Sequence, residues 1–201
     1  MIYKIDELKQ KSINDNIPIM QDEGLDFLLN FIVENKIKKI LEIGTAVGYS
    51  SIKMALLDDD IEVTTIEKDE VRFKEAVKNV KSFDLSSRIH LILSDALDVE
   101  LNEKYDLIFI DAAKGKYIDF FEKFKNNLKE TGFIITDNLK FHGYVDMELS
   151  KIDSKNIRGL VKKIRKYIIF LKNNSEFETL FYELGDGVCV SRKKNNYELR
   201  L

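Results

Sequence analysis

The hydrophobic positions of the chain form five short, nearly continuous runs, separated by segments with helical spacing. The runs are KKILEIG (38–44), EVTTIE (62–67), HLILSD (90–95), YDLIFID (105–111) and GFIITD (132–137). Runs of this length with little polar alternation are typical of strands buried on both faces of a parallel sheet. The intervening helical patterns cover Tyr49–Leu57, Glu70–Phe83 and Tyr117–Leu128. Strands that alternate with helices predict a doubly wound α/β fold.

Both ends of the chain extend this pattern. Residues 1–35 have helical spacing, and Asp22 is a plausible N-cap. A long helix is predicted over 155–172, followed by strands at 177–184 and 187–192 that flank the turn Gly185-Asp186-Gly187. We therefore expect one domain over 1–201, with an N-terminal helical segment (1–35), a binding core (36–138) and a basic helix with a terminal hairpin (139–201).

Composition excludes several classes of protein. The chain has 44% hydrophobic and 33% charged residues, a net charge of −3, one cysteine and two histidines. A disulfide framework and a zinc site built from several cysteines are therefore excluded, and a histidine-built metal centre is disfavoured. The apolar runs are too short to span a membrane, and no signal peptide is recognisable. We expect a cytoplasmic protein with no membrane partner.

Polar side chains follow the end of every predicted parallel strand. Glu42, Glu67 and Asp95 follow the first three strands, Asp111 follows the fourth, and the pair 137–138 (Asp-Asn) follows the fifth. Helix capping accounts for one or two acids in such positions. Ligands of open α/β sheets bind at the carboxyl ends of the strands, so the pattern indicates a binding crevice there.

The glycine-rich loop after the first strand, EIGTAVGYS, lacks the middle glycine of the dinucleotide fingerprint. Glu42 in this loop would repel a pyrophosphate. A ligand with a ribose and a cationic centre fits better, and S-adenosylmethionine is such a ligand. Glu67 is placed to accept hydrogen bonds from the ribose hydroxyls. The alternative is that Gly44 and Gly48 serve only tight packing of strand and helix.

Three oxygen-bearing side chains at neighbouring strand ends predict a metal site. Asp111, Asp137 and Asn138 offer carboxylate and amide oxygens, which favour a hard cation such as Mg²⁺. The alternative is that each residue caps a helix or a turn. Lys114 follows closely and could act as general base, since a nearby divalent cation disfavours its protonated form. Lys116 is interpreted as a solvated surface lysine.

Three segments, ILEIGTAVGYSSIKMA, IFIDAAKGKYIDFF and GFIITDNLKFHG, resemble the metal-dependent O-methyltransferases of the catechol and caffeoyl-CoA type. The resemblance extends from about Ile17 to Lys193 and implies the Rossmann-like fold of class I methyltransferases, with a mostly parallel seven-stranded sheet. It implies that Asp111, Asp137 and Asn138 bind the metal and that Lys114 is the catalytic base. The cofactor contacts that it implies are Ile19, Met20, Glu42, Gly44, Ser50, Glu67, Asp95, Ala96 and Asp111.

Within that family, the stretches IPIM, DAAKGKY and RGLVKKIRKYIIFL are most similar to bacterial tRNA 5-hydroxyuridine methyltransferases. This similarity implies that the acceptor is 5-hydroxyuridine at the tRNA wobble position, in the anticodon region. The vicinal 5-hydroxyl and 4-carbonyl oxygens could chelate Mg²⁺ as those of a catechol do, so a small catechol or phenol is the alternative acceptor. The family resemblance also implies a homodimer. Ala112 and Ala113 replace aromatic residues found beside the base in catechol enzymes.

The predicted helix over 155–172 is strongly basic. Its apolar positions, among them Ile157, Val161 and Ile164, predict a buried stripe, which leaves four basic residues facing outward. Such a stripe could follow the phosphates of RNA, although a run of charge is as often a solvated surface. The four candidate RNA-binding residues are Arg158, Lys162, Arg165 and Lys166.

Overall fold

The computed structural model describes residues 2–194, and its centre is a seven-stranded sheet. In chain order the strands are β1 (Lys39–Ile43), β2 (Glu62–Glu67), β3 (Ile89–Leu93), β4 (Tyr105–Ile110), β5 (Leu128–Thr136), β6 (Phe177–Tyr182) and β7 (Val188–Lys193). They lie in the order β3-β2-β1-β4-β5-β7-β6. Strands β1 to β5 pair in parallel, and β7 runs antiparallel to both neighbours. The predicted fold and its C-terminal hairpin are confirmed, while Met1 and 195–201 of the predicted domain lie outside the described residues.

Helices cover both faces of the sheet. They are α1 (Ile2–Asn14), α2 (Asp22–Glu34), α3 (Tyr49–Ala55), α4 (Glu70–Ser82), α5 (Tyr117–Phe124) and α6 (Lys155–Lys172). Successive strand residues point to opposite faces, so Leu107 and Phe109 pack with α1 to α4, and Ile108 and Ile110 pack with α5 and α6. This two-sided burial explains why the central strands read as continuous apolar runs.

Two local predictions are wrong. Asp22 does not cap α2, because Gln21 is the N-cap; Asp22 instead begins the helix and pairs with Lys9 of α1 at 2.6 Å. Helix α5 ends at Phe124 rather than at Leu128, which is the first residue of β5. The start of β5 escaped prediction because residues 129–131 are polar and exposed there, which leaves no apolar run to recognise.

Helix α6 begins and ends where the sequence predicts. Ser154 caps it by accepting a hydrogen bond from the backbone N–H of Ile157 at 3.3 Å. Its buried stripe also includes Tyr167, whose hydroxyl lies 2.8 Å from the hydroxyl of Thr136. No helix within 2–194 is long and apolar enough to cross a membrane.

The strand order reverses between β1 and β4. From β1 the chain proceeds outward through β2 to β3 and then returns to β4, on the other side of β1. In open α/β sheets the crevice at the carboxyl ends of such a pair is where ligands bind. The segments that follow β1 and β4 are therefore expected to form a ligand-binding site.

Candidate active site

A cavity of about 390 Å³ opens at the carboxyl ends of β1 to β4. A volume of this size is typical of small-molecule sites. Among the residues predicted to bind a cofactor or metal or to act as base, Glu42 and Asp137 do not line it. The others line it: Ile19, Met20, Gly44, Ser50, Glu67, Asp95, Ala96, Asp111, Lys114 and Asn138.

The loop between β1 and α3 forms one wall of the cavity. Gly44 has φ of +105°, and an added Cβ there would lie 2.1 Å from the backbone oxygen of Asp111. Gly48, with φ of +84°, is the N-cap of α3 and has only ordinary contacts around an added Cβ. The packing role considered for Gly44 is therefore real, but the partner is the end of β4 rather than a helix. The absence of a side chain at Gly44 lets the backbone of Asp111 approach the loop closely.

Glu42 has a different position from the one predicted. Its carboxyl group is fully buried and accepts hydrogen bonds from the hydroxyls of Ser50, Ser51 and Thr65, the last at 2.6 Å. Burial raises the pKa of Glu42 to about 7, although the three hydroxyl donors oppose this shift. Glu42 therefore lies behind Ser50, which does line the cavity, and supports the wall rather than facing a ligand.

Two carboxylates from the ends of neighbouring strands face the cavity. Glu67 accepts hydrogen bonds on one oxygen from the backbone N–H groups of Lys68 at 3.0 Å and Asp69 at 2.9 Å, and on the other from Ala46 at 2.8 Å. Asp95 accepts one from the backbone of Leu97 at 3.0 Å. A carboxylate has about four acceptor positions, so Glu67 is held rigidly with one position left for a ligand hydroxyl.

Asp111, Asp137 and Asn138 converge at the ends of β4 and β5. The side-chain amide nitrogen of Asn138 lies 2.8 Å from an oxygen of Asp137 and 3.2 Å from an oxygen of Asp111. Asp111 does not cap a helix, since Ala113 and Lys116 hold the N-cap positions after β4. Asp137 does not either, since Glu148 and Ser154 hold those after β5. The three side chains thus form a cluster, as the sequence predicts.

The electrostatics of this cluster favour a cation. Burial, and then the negative charge of Asp111, raise the pKa of Asp137 well above its usual range. Burial also raises the pKa of Asp111, against the lowering effect of Lys114. Within 2–194 no three His, Cys, Asp or Glu side chains are grouped to hold a metal. A cation here would therefore need the Asn138 amide and further oxygens from water or substrate.

Lys114 lies in the short turn (Lys114–Lys116) between β4 and α5 and lines the cavity. Its Nζ is 5.8 Å from the centre of the Phe141 ring, and its charge acts on both Asp111 and Asp137. Lys116 pairs with Asp119 at 3.1 Å and is half exposed. Lys116 is therefore an exposed lysine, as the sequence predicts, and it also lines the cavity.

The structure adds contacts that sequence reasoning missed. The Tyr117 hydroxyl donates a hydrogen bond to the backbone oxygen of Asp137 at 2.9 Å, which fixes the end of β5. The only sequence signal for this contact is that Tyr117 carries a hydroxyl group among the buried aromatic positions of a helix. Further lining residues that were not predicted include Tyr49, Lys68, Arg72, Leu97 and Phe120.

The segment after Asn138 is held by the hairpin turn at 185–187. The buried carboxylate of Asp186 accepts a hydrogen bond from the backbone N–H of His142 at 2.5 Å, and its backbone oxygen accepts one from Lys140 at 2.7 Å. Phe141 and His142 have φ of +46° and +55°, a region that residues other than glycine rarely adopt. Asp186 thus helps to hold Phe141 beside Lys114, a role that the turn motif did not reveal.

Two of the four residues predicted to face outward on α6 instead donate hydrogen bonds to the loop before the helix. The Arg158 guanidinium donates hydrogen bonds to the backbone oxygens of Ile152 and Asp153, the latter at 3.0 Å. The Arg165 guanidinium donates to the backbone oxygens of Val145, at 2.7 and 2.9 Å, and Met147. Both arginines are half-buried and tie down the loop before α6, whereas Lys162 and Lys166 are exposed.

Comparisons with known proteins agree with this geometry. A family model described as O-methyltransferase matches residues 2–194. A caffeoyl-CoA O-methyltransferase of Stellaria longipes is 28% identical over 178 residues, covering 83% of this chain and 73% of the plant protein. A Staphylococcus aureus crystal structure with a provisional caffeoyl-CoA O-methyltransferase name is 37% identical, with a TM-score of 0.90 over 94% of this chain and 92% of that chain. A Bacillus cereus O-methyltransferase in complex with SAH is 25% identical, with a TM-score of 0.80 over 96% of this chain and 91% of that one.

Proposed function

The chain belongs to the O-methyltransferase family, and we propose that it transfers a methyl group from S-adenosylmethionine to the 5-hydroxyl of 5-hydroxyuridine at the tRNA wobble position. The product would be 5-methoxyuridine. The observation that carries the proposal is the meeting of three features in one cavity: the rigid carboxylates of Glu67 and Asp95, the cluster at Asp111, and Lys114.

The cavity suits S-adenosylmethionine better than a phosphorylated cofactor. The loop at Gly44 lacks the middle glycine that a pyrophosphate needs in order to approach the backbone. The carboxylates of Glu67 and Asp95 line the cavity and offer hydrogen-bond acceptors rather than the donors that a phosphate requires. The remaining acceptor position of Glu67 can take a hydrogen bond from a ribose hydroxyl. Ile19 and Met20, which line the same cavity, supply apolar surface.

We propose that a divalent cation, Mg²⁺ by preference, binds at Asp111, Asp137 and Asn138. The donor set fits, because two close and buried carboxylates repel each other until a cation neutralises them. A half turn of the Asn138 amide would exchange its nitrogen for its oxygen. When bound, the cation supplies positive charge that stabilises negative charge on the acceptor oxygen.

Lys114 is the proposed catalytic base. As a neutral amine it would take the proton of the acceptor hydroxyl and become an ammonium ion. The hydroxyl oxygen then forms a bond to the methyl carbon while the bond between carbon and sulfur breaks, leaving S-adenosylhomocysteine. Ser50 and the Gly44 loop orient the cofactor, so most of the rate would come from positioning the two reactants.

The residues beside Lys114 favour a nucleobase as the acceptor. Ala112 and Ala113 line the cavity beside Lys114 and leave room for a nucleobase, and Lys116 adds a positive charge. A small catechol or phenol is the second candidate, favoured by the similarity to caffeoyl-CoA O-methyltransferases. The homodimer implied by the family resemblance stays a prediction, which sedimentation velocity can test.

The decisive experiment offers both acceptors to the same enzyme. Purified protein with S-adenosylmethionine and Mg²⁺ is incubated with tRNA carrying 5-hydroxyuridine and, separately, with caffeoyl-CoA and catechol. We expect 5-methoxyuridine in the nucleoside mass spectrum of the tRNA and much slower methylation of the small acceptors. Lys114→Ala protein is the negative control. Rapid methylation of catechol, with tRNA left unmodified, would refute the tRNA assignment and favour the second candidate.

A further inference from the structure

Helix α6 carries an unusual excess of positive charge. It has no Asp or Glu, although the whole protein has a net charge of −3. Helix α4 shows the ordinary arrangement, in which Lys74 pairs with Glu70 and Lys78 with Glu75. The basic residues of α6 are Lys155, Arg158, Lys162, Lys163, Arg165, Lys166 and Lys172.

Four of these residues form a continuous face, which we call the α6 lysine face: Lys155, Lys162, Lys163 and Lys166. Their spacings of seven, one and three residues place them on the same side of a helix, and all four are exposed. Within 2–194 none of the four forms an ion pair with a carboxylate. Arg158 and Arg165, in contrast, donate hydrogen bonds to backbone oxygens of the preceding loop. The lysine amines therefore remain available to an external anion.

The α6 lysine face reaches the rim of the cavity. Lys163 lies over Gly115, where an added Cβ would be 3.2 Å from its Cδ and 3.3 Å from its Nζ. Gly115 separates Lys114 from Lys116, and both of these line the cavity. Positive charge thus runs from the proposed base outward along the helix, and the rise from Lys155 to Lys166 adds roughly 16 Å.

We propose that the α6 lysine face binds the phosphodiester backbone of the RNA acceptor and directs the target nucleotide into the cavity. The inference rests on the proposed function and assigns it a docking surface. A row of unpaired amines of this length matches several successive phosphates, whereas a catechol has no phosphate for it to bind. The half-exposed Lys116 would contact the RNA backbone next to the target nucleotide.

The test compares two triple variants of equal charge. The first is Lys162→Gln/Lys163→Gln/Lys166→Gln, and the control, on the opposite side of the molecule, is Lys36→Gln/Lys78→Gln/Lys81→Gln. Binding of tRNA is measured by fluorescence anisotropy between 50 and 200 mM salt. Each lost phosphate contact lowers the slope of log K against log salt by about 0.7, so the first variant should lose about 2 and the control nearly none.

Turnover separates this inference from the proposed function. For the first variant we expect KM for tRNA to rise about ten-fold or more, and the ratio of activity on tRNA to activity on free 5-hydroxyuridine to fall equally. If the unmodified enzyme methylates tRNA and both variants behave alike, the docking surface is wrong and the proposed function stands. If the unmodified enzyme does not methylate tRNA, both fail.

Binding of two other anionic ligands to both variants is also measured, because either could occupy the α6 lysine face instead of tRNA. Caffeoyl-CoA carries phosphates on its coenzyme portion, and vesicles containing phosphatidylglycerol present an anionic surface. If the first variant loses affinity for either of these while its tRNA binding is unchanged, the RNA assignment is overturned. Retained thermal stability of both variants shows that the substitutions act on binding and not on folding.

Discussion

The backbone oxygen of Asp111 occupies the space that a side chain on Gly44 would need, since an added Cβ would lie only 2.1 Å away. The same pair of strand ends is joined by the backbone N–H of Asp111, which donates to the oxygen of Ile43 at 3.0 Å. This contact connects the wall of the proposed cofactor site with the first proposed metal ligand.

We therefore expect Gly44→Ala to damage both sites at once. The Cβ must displace the end of β4, and alanine is strained at a φ of +105°. The free energy of unfolding should fall by at least about 2 kcal/mol, with weaker binding of S-adenosylmethionine in calorimetry. The control is Gly159→Ala, which meets open space on α6 and should raise stability by up to about 1 kcal/mol. Equal stability of the two variants would show that the close approach is unimportant.

A second prediction concerns the pH dependence of stability. Because burial raises the pKa of Glu42 from 4.5 to about 7, the folded protein keeps a proton in this interval that the unfolded chain has released. The free energy of unfolding therefore falls as pH rises from 4.5 to 7, and Glu42 contributes about 3 kcal/mol to the fall.

Glu42→Gln removes this contribution, because the amide cannot ionise but can still bond to the surrounding hydroxyls. Urea unfolding at several pH values should show a decline smaller by about 3 kcal/mol in the variant. Glu34→Gln, at an exposed position of α2, should leave the wild-type profile unchanged. A Glu42→Gln profile parallel to the wild type would mean that Glu42 is already ionised in the fold.

The third prediction separates Lys114 from its neighbour. Lys114→Ala should lower kcat about 100-fold or more at saturating Mg²⁺, with the affinity for S-adenosylmethionine changed less than about two-fold. Saturating Mg²⁺ matters because the Lys114 charge also acts on Asp111 and Asp137. Lys116→Ala, in the same turn, should lower kcat by less than about ten-fold. Similar losses in both variants would argue for a general effect of positive charge and against a base at Lys114.

The sequence predicted the fold well because its signal is two-sided burial. The bounds of β2 and of α6 agree with the predicted ones, since a charged residue stands at each end of both elements. The polar start of β5 had no such signal. The cavity residues could also be predicted, because the carboxyl ends of parallel strands meet at one edge of the sheet.

What could not be predicted was the direction of individual side chains. Glu42 is still within β1, so strand alternation points it with Ile40 into the side covered by α3, behind the cavity wall. The roles of Arg158 and Arg165 depend on the path of the loop at 139–154, which has positive φ at two residues that are not glycine, Phe141 and His142. No period or motif in the sequence encodes that path.

The last prediction is that replacing Asp137 makes the metal-free protein more stable but inactive. Burial and the neighbouring Asp111 raise the pKa of Asp137, so keeping both carboxylates ionised at pH 8 destabilises the metal-free fold. Asp137→Asn removes one charge and can still accept the hydrogen bond from Asn138. Without metal, its melting temperature at pH 8 should rise, by roughly 2–4 °C for each kcal/mol gained.

The same substitution should abolish the increase in melting temperature that Mg²⁺ produces in the wild type, and with it methyl transfer, because a neutral amide binds a hard cation poorly. Calorimetry should show S-adenosylmethionine binding with little change, and EDTA should reproduce the loss of activity in the wild type. Asp146→Asn, in the exposed part of the loop, is the matched control and should keep both responses. An Asp137→Asn protein that loses cofactor binding together with activity would assign Asp137 a structural role instead.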